Sequence, residues 1–432
     1  MIYGVISYFR SLLIVGFLII CGFGGYLLIS GVDYREKLEI FYFLLSTSAV
    51  LVTYYYLRYW KYILMPYSLN LHSIFSHNTL IETRNKRTLF LDYFWNIKKI
   101  HSKSVIEQIY TKDLKRFTLE YNNLTSIDIQ NYRQSAEKIL HYLGLINKRF
   151  EVSIYPKKNK SVLLSFYKLP EFYEIEMGIF KKEFLLLGIY EKGFYYRSLD
   201  TLDHHLIVGE SGSGKSNFMH LLNLNFLFNL HRINKMYMID LKGGVELKSY
   251  ENIDKIQFVS DIERLDNLLD DVLIHLKRTQ ELMLKTGVRK LNNFTLLVFD
   301  EIGAVSVYPD KKIRESIFNK LALIAMQGRS SGILLFLFGQ KIDNTILPTS
   351  VVNNVQSRVL MKTSSDYNIN IIDLKDNIRE RITSTEIQDF NKGRAIIKDG
   401  LTSDKHLIQF PFISDKFLSS IISYYSNKQT LL

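Results

Sequence analysis

The sequence contains a single cysteine, Cys21, among its 432 residues. One cysteine can form neither an intramolecular disulfide nor a cysteine-based zinc cluster, so a disulfide-stabilised extracellular scaffold is excluded and a reducing compartment fits most of the chain. Proline (6 residues) and glycine (22) are also scarce, whereas 47% of the residues are hydrophobic. This composition excludes collagen-like and low-complexity chains and argues against disorder. The length suits about three structural units.

Acidic residues are outnumbered, because 55 Lys and Arg stand against 43 Asp and Glu and give a net charge of +12. Such an excess suits a polyanionic partner, either nucleic acid or anionic lipid headgroups. Much of it falls within residues 61–200, which carry 22 basic and 14 acidic residues and no catalytic motif. A helical run at 135–145 and two hairpin patterns predict a small α+β adaptor domain here. Three alternatives are open for the positive charge of this domain: it faces phospholipid headgroups, it faces a nucleic-acid strand, or it forms a solvated surface without a partner.

Two apolar stretches lie near the N-terminus, at residues 11–29 and 40–57. The first has 19 residues without an ionisable charge, which as a helix would cross roughly 30 Å of hydrocarbon. A cleaved signal peptide and a buried globular hairpin are the alternatives. A second stretch follows and no small-residue cleavage site separates them, which disfavours the signal peptide. We therefore predict a two-helix transmembrane hairpin over residues 1–60.

The basic residues that flank this hairpin predict its orientation. Arg10 precedes the first span, and Arg58 and Lys61 follow the second, so all three lie on the same side of the membrane. By the positive-inside rule that side is the cytoplasm. The expectation is a multi-pass protein of the cell membrane with both termini in the cytoplasm.

A glycine-rich motif follows the apolar run HLIV at 205–208 and precedes a helical run. It has the form G-x-x-x-x-G-K-[ST], in which backbone N–H groups and a helix N-terminus surround phosphate oxygens. Lys215 is predicted to contact the β and γ phosphates of ATP, and Ser216 to bind Mg²⁺. A purely structural glycine-rich turn is the alternative. The predicted ATP-binding residues are Gly209, Glu210, Ser211, Gly212, Ser213, Gly214, Lys215, Ser216 and Asn217.

A second motif consists of four apolar residues, Leu296 to Phe299, followed by Asp300 and Glu301. The apolar run predicts a buried central strand, and ligands of open α/β sheets bind where such strands end. Asp300 is predicted to hold Mg²⁺ through its water shell, and Glu301 to act as the general base for the attacking water.

Further strand-like runs alternate with helical stretches after residue 200. They are KMYMID at 235–240, IQFV ending at 259, GILLFLFG at 332–339, RVLM at 358–361 and RAIIKD at 394–399. Alternating strands and helices predict an α/β fold with a parallel sheet covered on both faces. We expect this ATPase domain to occupy residues 201–415, with a C-terminal tail at 416–432.

Four blocks together resemble the FtsK/SpoIIIE family of DNA-translocating ATPases. They are IVGESGSGKSNF, MYMIDLKGGVEL at 236–247, LLVFDEIGAV at 296–305 and LALIAMQGRSSGILLFLFGQKID at 321–343. The segments NNVQSRVLMKTSSD and NKGRAIIKDG look like closing blocks of the same family. With two apolar stretches and a compact adaptor, the chain is most similar to the membrane-anchored coupling ATPases of Gram-positive conjugative elements, the TcpA/ConQ-like group.

This resemblance implies a RecA-like fold and a ring, usually a homo-hexamer, that passes DNA through its channel. Arg329 matches the family's arginine finger, which acts on the neighbouring subunit's nucleotide; a surface arginine in a loop is the alternative. Gln340 matches the family's γ-phosphate sensor; the alternative is that it is a polar residue at the end of a strand with no role at the nucleotide. Asp240, Lys242 and Glu246 match a block that the family places near the nucleotide and the subunit contact.

The chain departs from the family where Gly339-Gln340-Lys341-Ile342 replaces the common Thr-Gln-Arg-Pro. Lys341 is the basic residue expected to contact DNA in that loop. Only about 20 residues follow the ATPase, too few for a winged-helix module, so we expect contacts to the phosphate backbone without base readout.

The leading functional hypothesis is ATP-driven delivery of DNA to a conjugation channel, with a relaxase and channel proteins as partners. One alternative is an ATPase of the same fold that energises protein secretion; such proteins usually carry several ATPase modules, and this chain has one P-loop. The other is a non-hydrolysing docking protein for DNA and relaxase, which the joint presence of Lys215, Ser216, Asp300 and Glu301 disfavours.

Overall fold

The structure is a computed structural model that describes residues 105–108, 115–122, 128–142, 149–157 and 161–427, except 245, 344 and 373–386, together with residues 33, 35, 36, 38, 39 and 42. Apart from Tyr42, the two stretches predicted to span a membrane lie outside these residues. Within the ranges given, no helix combines the length and the apolar character needed to cross a membrane. The chain divides into two compact units, residues 1–108 with 115–168 and residues 109–114 with 169–432.

The first unit contains a four-stranded antiparallel sheet in the order β1-β2-β4-β3. Its strands are β1 (Val105–Gln108), β2 (Lys115–Asn122), β3 (Glu151–Lys157) and β4 (Ser161–Lys168), and its helices are α1 (Ile129–Gln134) and α2 (Ala136–Tyr142). The side chain of Asp128 caps α1 by accepting a hydrogen bond from the Gln130 N–H. Alternate β4 residues Val162, Leu164 and Phe166 are buried, as the two-residue period of a strand requires. The predicted hairpin of β3 and β4 is confirmed.

The second unit is built on a ten-stranded sheet in the order β6-β5-β14-β13-β12-β7-β11-β10-β8-β9. The six strands from β12 to β9 run parallel, and the other four are antiparallel. The strands are β5 (Phe184–Tyr190), β6 (Gly193–Ser198), β7 (His205–Val208), β8 (Ile233–Asp240), β9 (Ile256–Val259), β10 (Phe294–Asp300), β11 (Ile333–Gly339), β12 (Ser357–Met361), β13 (Arg394–Lys398) and β14 (Lys405–Gln409).

Helices cover both faces of this sheet, as predicted. On one face Leu334, Phe336 and Phe338 of β11 join a core cluster with the helix that follows the glycine-rich loop. The alternate β11 residues Leu335 and Leu337 are equally buried, on the face where α6 packs. The helices are α3 (Lys215–Phe228), α4 (Ile262–Thr286), α5 (Gly303–Ser306), α6 (Lys311–Gln327), α7 (Thr349–Val352), α8 (Asp366–Ile371) and α9 (Asp415–Asn427). Short 3-10 turns span Met177–Ile179, Leu199–Thr201, Leu230–Arg232 and Lys248–Tyr250.

The sheet is not parallel throughout, which corrects the expectation for RAIIKD. This run forms β13, which pairs antiparallel with β12 through Met361 and Ala395. The reason is the path of the chain. Strand β12 ends at the edge that carries the glycine-rich loop, and β13 begins at that same edge, where the Gly393 N–H donates to the Ser213 carbonyl at 2.8 Å. Without a crossover, the next strand must run in the opposite direction.

The ten-stranded sheet extends beyond residues 201–415, the range that was predicted for it. The predicted hairpin of β5 and β6 forms, but it lies at the edge of the ten-stranded sheet, where Ile189 pairs with Gln409, rather than in the adaptor unit. At the other end of the chain, α9 occupies much of the expected tail. Ile422 of α9 is buried in the core cluster that contains α3.

Candidate nucleotide-binding site

The glycine-rich loop joins β7 to α3 at the carboxyl edge of the parallel strands. Neighbouring strands tether its backbone: the Gly209 N–H donates to the Gly339 carbonyl at 3.2 Å, and the Glu210 N–H to the Lys362 carbonyl at 2.9 Å. Gly214 has φ +102°, and a Cβ at this position would lie 2.9 Å from the Gly393 nitrogen. Both the left-handed conformation and the close approach require glycine. The loop is therefore a preformed cradle at the start of a helix.

The loop opens into a cleft of about 510 Å³, a size typical of small-ligand sites. Most of the predicted ATP-binding residues line it, and they are joined there by residues from the ends of separate strands. The lining comprises Ser211, Gly212, Gly214, Lys215, Ser216 and Asn217, with Asp240 at the end of β8, Lys242 and Glu246 after β8, Asp300 at the end of β10, Gln340 after β11, and Lys392 before β13. Because all these strand ends meet at one edge, the tertiary structure brings the two predicted motifs together.

Lys215 is the principal cation of the loop. Its Nζ donates to the Gly209 carbonyl at 2.6 Å and to the Glu210 carbonyl at 3.3 Å. Burial lowers the pKa of its ammonium group. The loop's own carbonyl oxygens thus hold a partly desolvated positive charge in the cleft, where phosphate oxygens would be better partners.

Two aspartates lie side by side where β8 and β10 end, since Asp240 and Asp300 are register partners. Burial, and next the negative charge of Asp240, raise the pKa of Asp300 to about 6. Asp240 is 1% exposed and accepts hydrogen bonds from the backbone N–H groups of Lys242 and Glu246, each at 3.1 Å. This concentration of buried negative charge fits a divalent cation.

No group of three or more His, Cys, Asp or Glu residues among the described positions is arranged to hold a metal ion. Magnesium in nucleotide sites usually binds one or two protein oxygens together with phosphates and water. Ser216 and Asp300, which both line the cleft, remain the predicted ligands.

Glu301 has an unusual backbone and a well-defined carboxylate. Its φ of +60° lies in the left-handed region, which is strained for a residue other than glycine and is often found at functional sites. Its Oε1 accepts the Gln340 N–H at 3.2 Å, and its Oε2 is 3.0 Å from the Nζ of Lys242. A Cβ on Gly303 would lie 3.0 Å from Oε1. The ends of β10 and β11 together fix this carboxylate beside the cleft.

Glu246 connects the cleft to a histidine of α3 that was not predicted from the sequence. Its carboxylate lies 3.4 Å from His220 Nε2, and His220 Nδ1 lies 2.9 Å from the Tyr250 hydroxyl. The hydrogen bond from His220 is the main cause that lowers the pKa of Glu246, and Ser216 donates a further one. Glu246 thereby contacts two residues of α3 that lie one turn apart, the predicted magnesium ligand Ser216 and His220.

Two predicted nucleotide residues use their side chains to hold the protein together. The Glu210 carboxylate accepts hydrogen bonds from the N–H and hydroxyl of Ser364, at 2.5 and 2.6 Å, and these bonds lower its pKa. The Asn217 amide donates to the Pro411 carbonyl at 2.7 Å and accepts the Ile413 N–H at 2.9 Å. Both side chains anchor the cradle to later parts of the sheet.

Arg329 lies near the amino ends of the parallel strands, whereas the cradle lies at their carboxyl ends. This arginine precedes β11, whose seven residues span about 23 Å and end beside the glycine-rich loop. Its Nη1 donates to the Gln356 side chain at 3.4 Å. The structure thus does not bring Arg329 to the cleft of its own chain.

Lys341 follows Gln340 but points to solvent. Its side chain is 57% exposed and forms an ion pair with Asp343 at 3.3 Å. Lys392, by contrast, lines the cleft without having been predicted to do so. Lys392 belongs to the block NKGRAIIKDG, where the pair Lys392-Gly393 was the available sequence signal for a phosphate contact. No spacing rule connects this block to the glycine-rich loop, which lies far earlier in the chain.

Comparison with known proteins agrees with this architecture. Residues 185–375 match the model of the FtsK/SpoIIIE family. The DNA translocase FtsK of Tropheryma whipplei is 25% identical over 197 residues, which cover 40% of this chain and 26% of that protein. The DNA translocase SftA of Bacillus subtilis is 24% identical over 245 residues, 52% of this chain and 24% of that protein. The matches thus span about a quarter of the length of these two curated relatives.

Solved structures show the same fold. The pCW3 conjugation coupling protein TcpA, in a monomer form with ATPγS, has a TM-score of 0.52 and 20% identity, over 79% of this chain and 99% of that one. ATPases 2 and 3 of EssC from Geobacillus thermodenitrificans have a TM-score of 0.50 and 14% identity, over 61% of this chain and 53% of that one. Residues 185–375 therefore match the FtsK/SpoIIIE family, and they contain both the glycine-rich loop and the acidic strand end of the cleft.

Proposed function

We propose that this protein is a membrane-anchored, ATP-driven DNA translocase that acts as a coupling protein and delivers DNA to a conjugation channel. The observation that carries the proposal is the cleft itself, which Lys215 and Asp300 line within the region that matches the FtsK/SpoIIIE family. The carboxylate of Glu301 lies beside this cleft, bonded to the lining residues Lys242 and Gln340. The family relatives are named DNA translocases, and the fold is that of a conjugation coupling protein. The net charge of +12 suits a polyanionic cargo.

The residues of the cleft would divide the work of hydrolysis. Backbone N–H groups of the loop and Lys215 hold the β and γ phosphates. Glu301 takes the proton of the water that attacks the γ-phosphorus, the bond between that phosphorus and the bridging oxygen breaks, and ADP and phosphate leave. Ser216 and Asp300 would hold Mg²⁺, which when bound offsets the negative charge of the phosphates. Gln340, next to Glu301, is positioned to sense the γ-phosphate.

Arg329 enters this proposal as a residue that acts on a neighbouring copy. The length of β11 separates it from the cleft of its own chain, so a role in catalysis requires a second subunit. A ring, with a homo-hexamer as the proposed form, would supply one Arg329 to each interface. A guanidinium group placed against the γ-phosphate stabilises the charge that develops during transfer.

Contacts to DNA are proposed to involve the phosphate backbone rather than the bases. Lys341 is exposed beside the catalytic edge and is the proposed contact in its loop. Binding through phosphates releases counterions, so the affinity should fall steeply as salt rises. The membrane anchor at residues 1–60, the cytoplasmic position of the ATPase and the relaxase and channel partners are part of the same proposal, and they rest on the sequence alone.

The experiment is to measure ATP hydrolysis by the purified full-length protein with and without DNA, using single-stranded and double-stranded DNA in parallel. We expect DNA to stimulate hydrolysis, Lys215→Ala to abolish nucleotide binding, and Glu301→Gln to keep binding but stop turnover. If DNA does not stimulate ATP hydrolysis and a secreted protein does, the protein energises protein secretion and the present proposal is wrong. Nucleotide and DNA binding without any hydrolysis would identify a docking protein.

A further inference from the structure

A lysine outside both nucleotide-binding motifs pairs with the proposed general base. Lys242 follows β8, and its Nζ lies 3.0 Å from Oε2 of Glu301. The other oxygen of Glu301 accepts the Gln340 N–H at 3.2 Å. Both carboxylate oxygens are therefore engaged within the protein. An adjacent ammonium group stabilises the ionised carboxylate and makes it a weaker base, so opening this ion pair would make Glu301 a stronger base for the attacking water.

The two partners differ in how firmly they are held. The side chain of Glu301 is 11% exposed, whereas that of Lys242 is 45% exposed. Gly243 and Gly244 follow Lys242 directly with φ of +104° and +82°. An ammonium group on a flexible, half-exposed stem can change partners at small cost, whereas the carboxylate is fixed by the ends of two strands. Lys242 is thus the member of the pair that can move.

A phosphate group bound in the cleft would be a second partner for Lys242. Lys242 lines the cleft together with Lys215, and the two ammonium groups are close enough for the charge of Lys242 to contribute, after burial, to the lowered pKa of Lys215. With Lys392, three lysines line this cleft, which suits a ligand with several negative charges. A terminal phosphate carries about −1.5 to −2, against −1 for a carboxylate, so it competes effectively for Lys242.

We propose that Lys242 is a positioning residue that masks Glu301 until a nucleoside triphosphate occupies the cleft. The terminal phosphate draws Nζ of Lys242 away from Oε2, and that oxygen then becomes free to orient the attacking water. A nucleoside diphosphate lacks the γ-phosphate, so the ion pair of Lys242 and Glu301 stays closed when it binds. The inference rests on the proposed roles of Glu301 and the cleft, and it adds a means of confining the active base to the triphosphate-bound state.

The test compares the affinities of the full-length protein for ATPγS and ADP, each with Mg²⁺. Lys242→Met keeps the apolar stem and removes the charge, and we expect it to weaken ATPγS binding about tenfold, as expected for one charge-assisted hydrogen bond. ADP binding should change less than about twofold. Lys248→Met is the matched control, because Lys248 is exposed in the same segment and lies outside the cleft. It should leave both affinities unchanged.

A double-mutant cycle isolates the masking contact. Glu301→Gln removes the competing charge, so Lys242 no longer has to leave a carboxylate and ATPγS should bind more tightly. That gain should disappear in the Lys242→Met, Glu301→Gln double variant. Lys242→Arg retains a positive charge and should keep the preference for ATPγS over ADP. This variant and Glu301→Gln also serve as the test if Lys242→Met does not fold.

Equal losses of ATPγS and ADP affinity in Lys242→Met would overturn the inference, as would a gain in Glu301→Gln that persists without Lys242. Either result would mean that the ion pair of Lys242 and Glu301 stabilises the fold and does not respond to the γ-phosphate. Failure of the proposed function looks different: the unmodified protein would bind no ATPγS, or would bind it without responding to DNA.

Discussion

Asn217 provides the sharpest test of how this cradle is held. The glycine-rich motif places it among the nucleotide-binding residues, but in the structure its amide bridges two backbone groups near the C-terminus. It donates to the Pro411 carbonyl at 2.7 Å and accepts the Ile413 N–H at 2.9 Å. Replacement by alanine would leave both groups without this partner, and both belong to buried residues.

The expected cost follows from those two contacts. A buried backbone group that loses its partner costs about 1–3 kcal/mol, so two groups give about 2–6 kcal/mol. Phe412, between them, is exposed, so water can reach part of this segment and about 2–4 kcal/mol is the better expectation. For a unit of this size each kcal/mol lowers the melting temperature by about 2–4 °C. Asn217→Ala should therefore melt about 4–16 °C lower than the unmodified protein.

The assay is thermal unfolding of the full-length protein, combined with ATPγS binding well below the melting temperature. Asn354→Ala is the control, because the Asn354 amide donates one exposed hydrogen bond, to the Ser350 carbonyl at 2.7 Å. It should shift the melting temperature far less. If Asn217→Ala leaves the melting temperature unchanged and weakens ATPγS binding instead, Asn217 belongs to the nucleotide site and the structural reasoning is wrong.

Two further predictions concern the opposite edge of the sheet. Mixtures of inactive Arg329→Ala and inactive Lys215→Ala subunits should regain part of the ATPase activity, because some interfaces would combine an intact cleft with an intact arginine; no recovery at any mixing ratio would exclude a role in trans. Burial lowers the pKa of His204 to about 4, and its ring accepts the Leu335 N–H at 3.0 Å. The unfolded chain takes up this proton below about pH 6.5 while the folded chain does not, so His204 by itself should contribute a loss of about 3 kcal/mol of stability between about pH 6.5 and 4. Denaturant unfolding at several pH values should show a shallower loss for His204→Gln; equal slopes would contradict the assignment.

Much of the fold could be predicted because its signals are local. The runs that form β7, β8, β10, β11 and β12 are apolar and bounded by polar residues, which is sufficient to identify buried strands. The direction of β13 could not be predicted, because it depends on where the chain re-enters the sheet. The same holds for the β5–β6 hairpin, whose neighbour in the sheet is β14, more than 200 residues later.

The sequence by itself determined where the phosphate cradle lies, since the spacing of Gly209, Gly214 and Lys215 is a local pattern that can be identified without any distant residue. It also determined the acidic strand end at Asp300 and Glu301. Only the tertiary structure decided which side chains serve the ligand and which hold the cradle. The pair of Lys242 with Glu301 joins positions 59 residues apart. Partnerships of this kind arise from the order of strands in the sheet, and the amino-acid pattern along a single segment carries no information about that order.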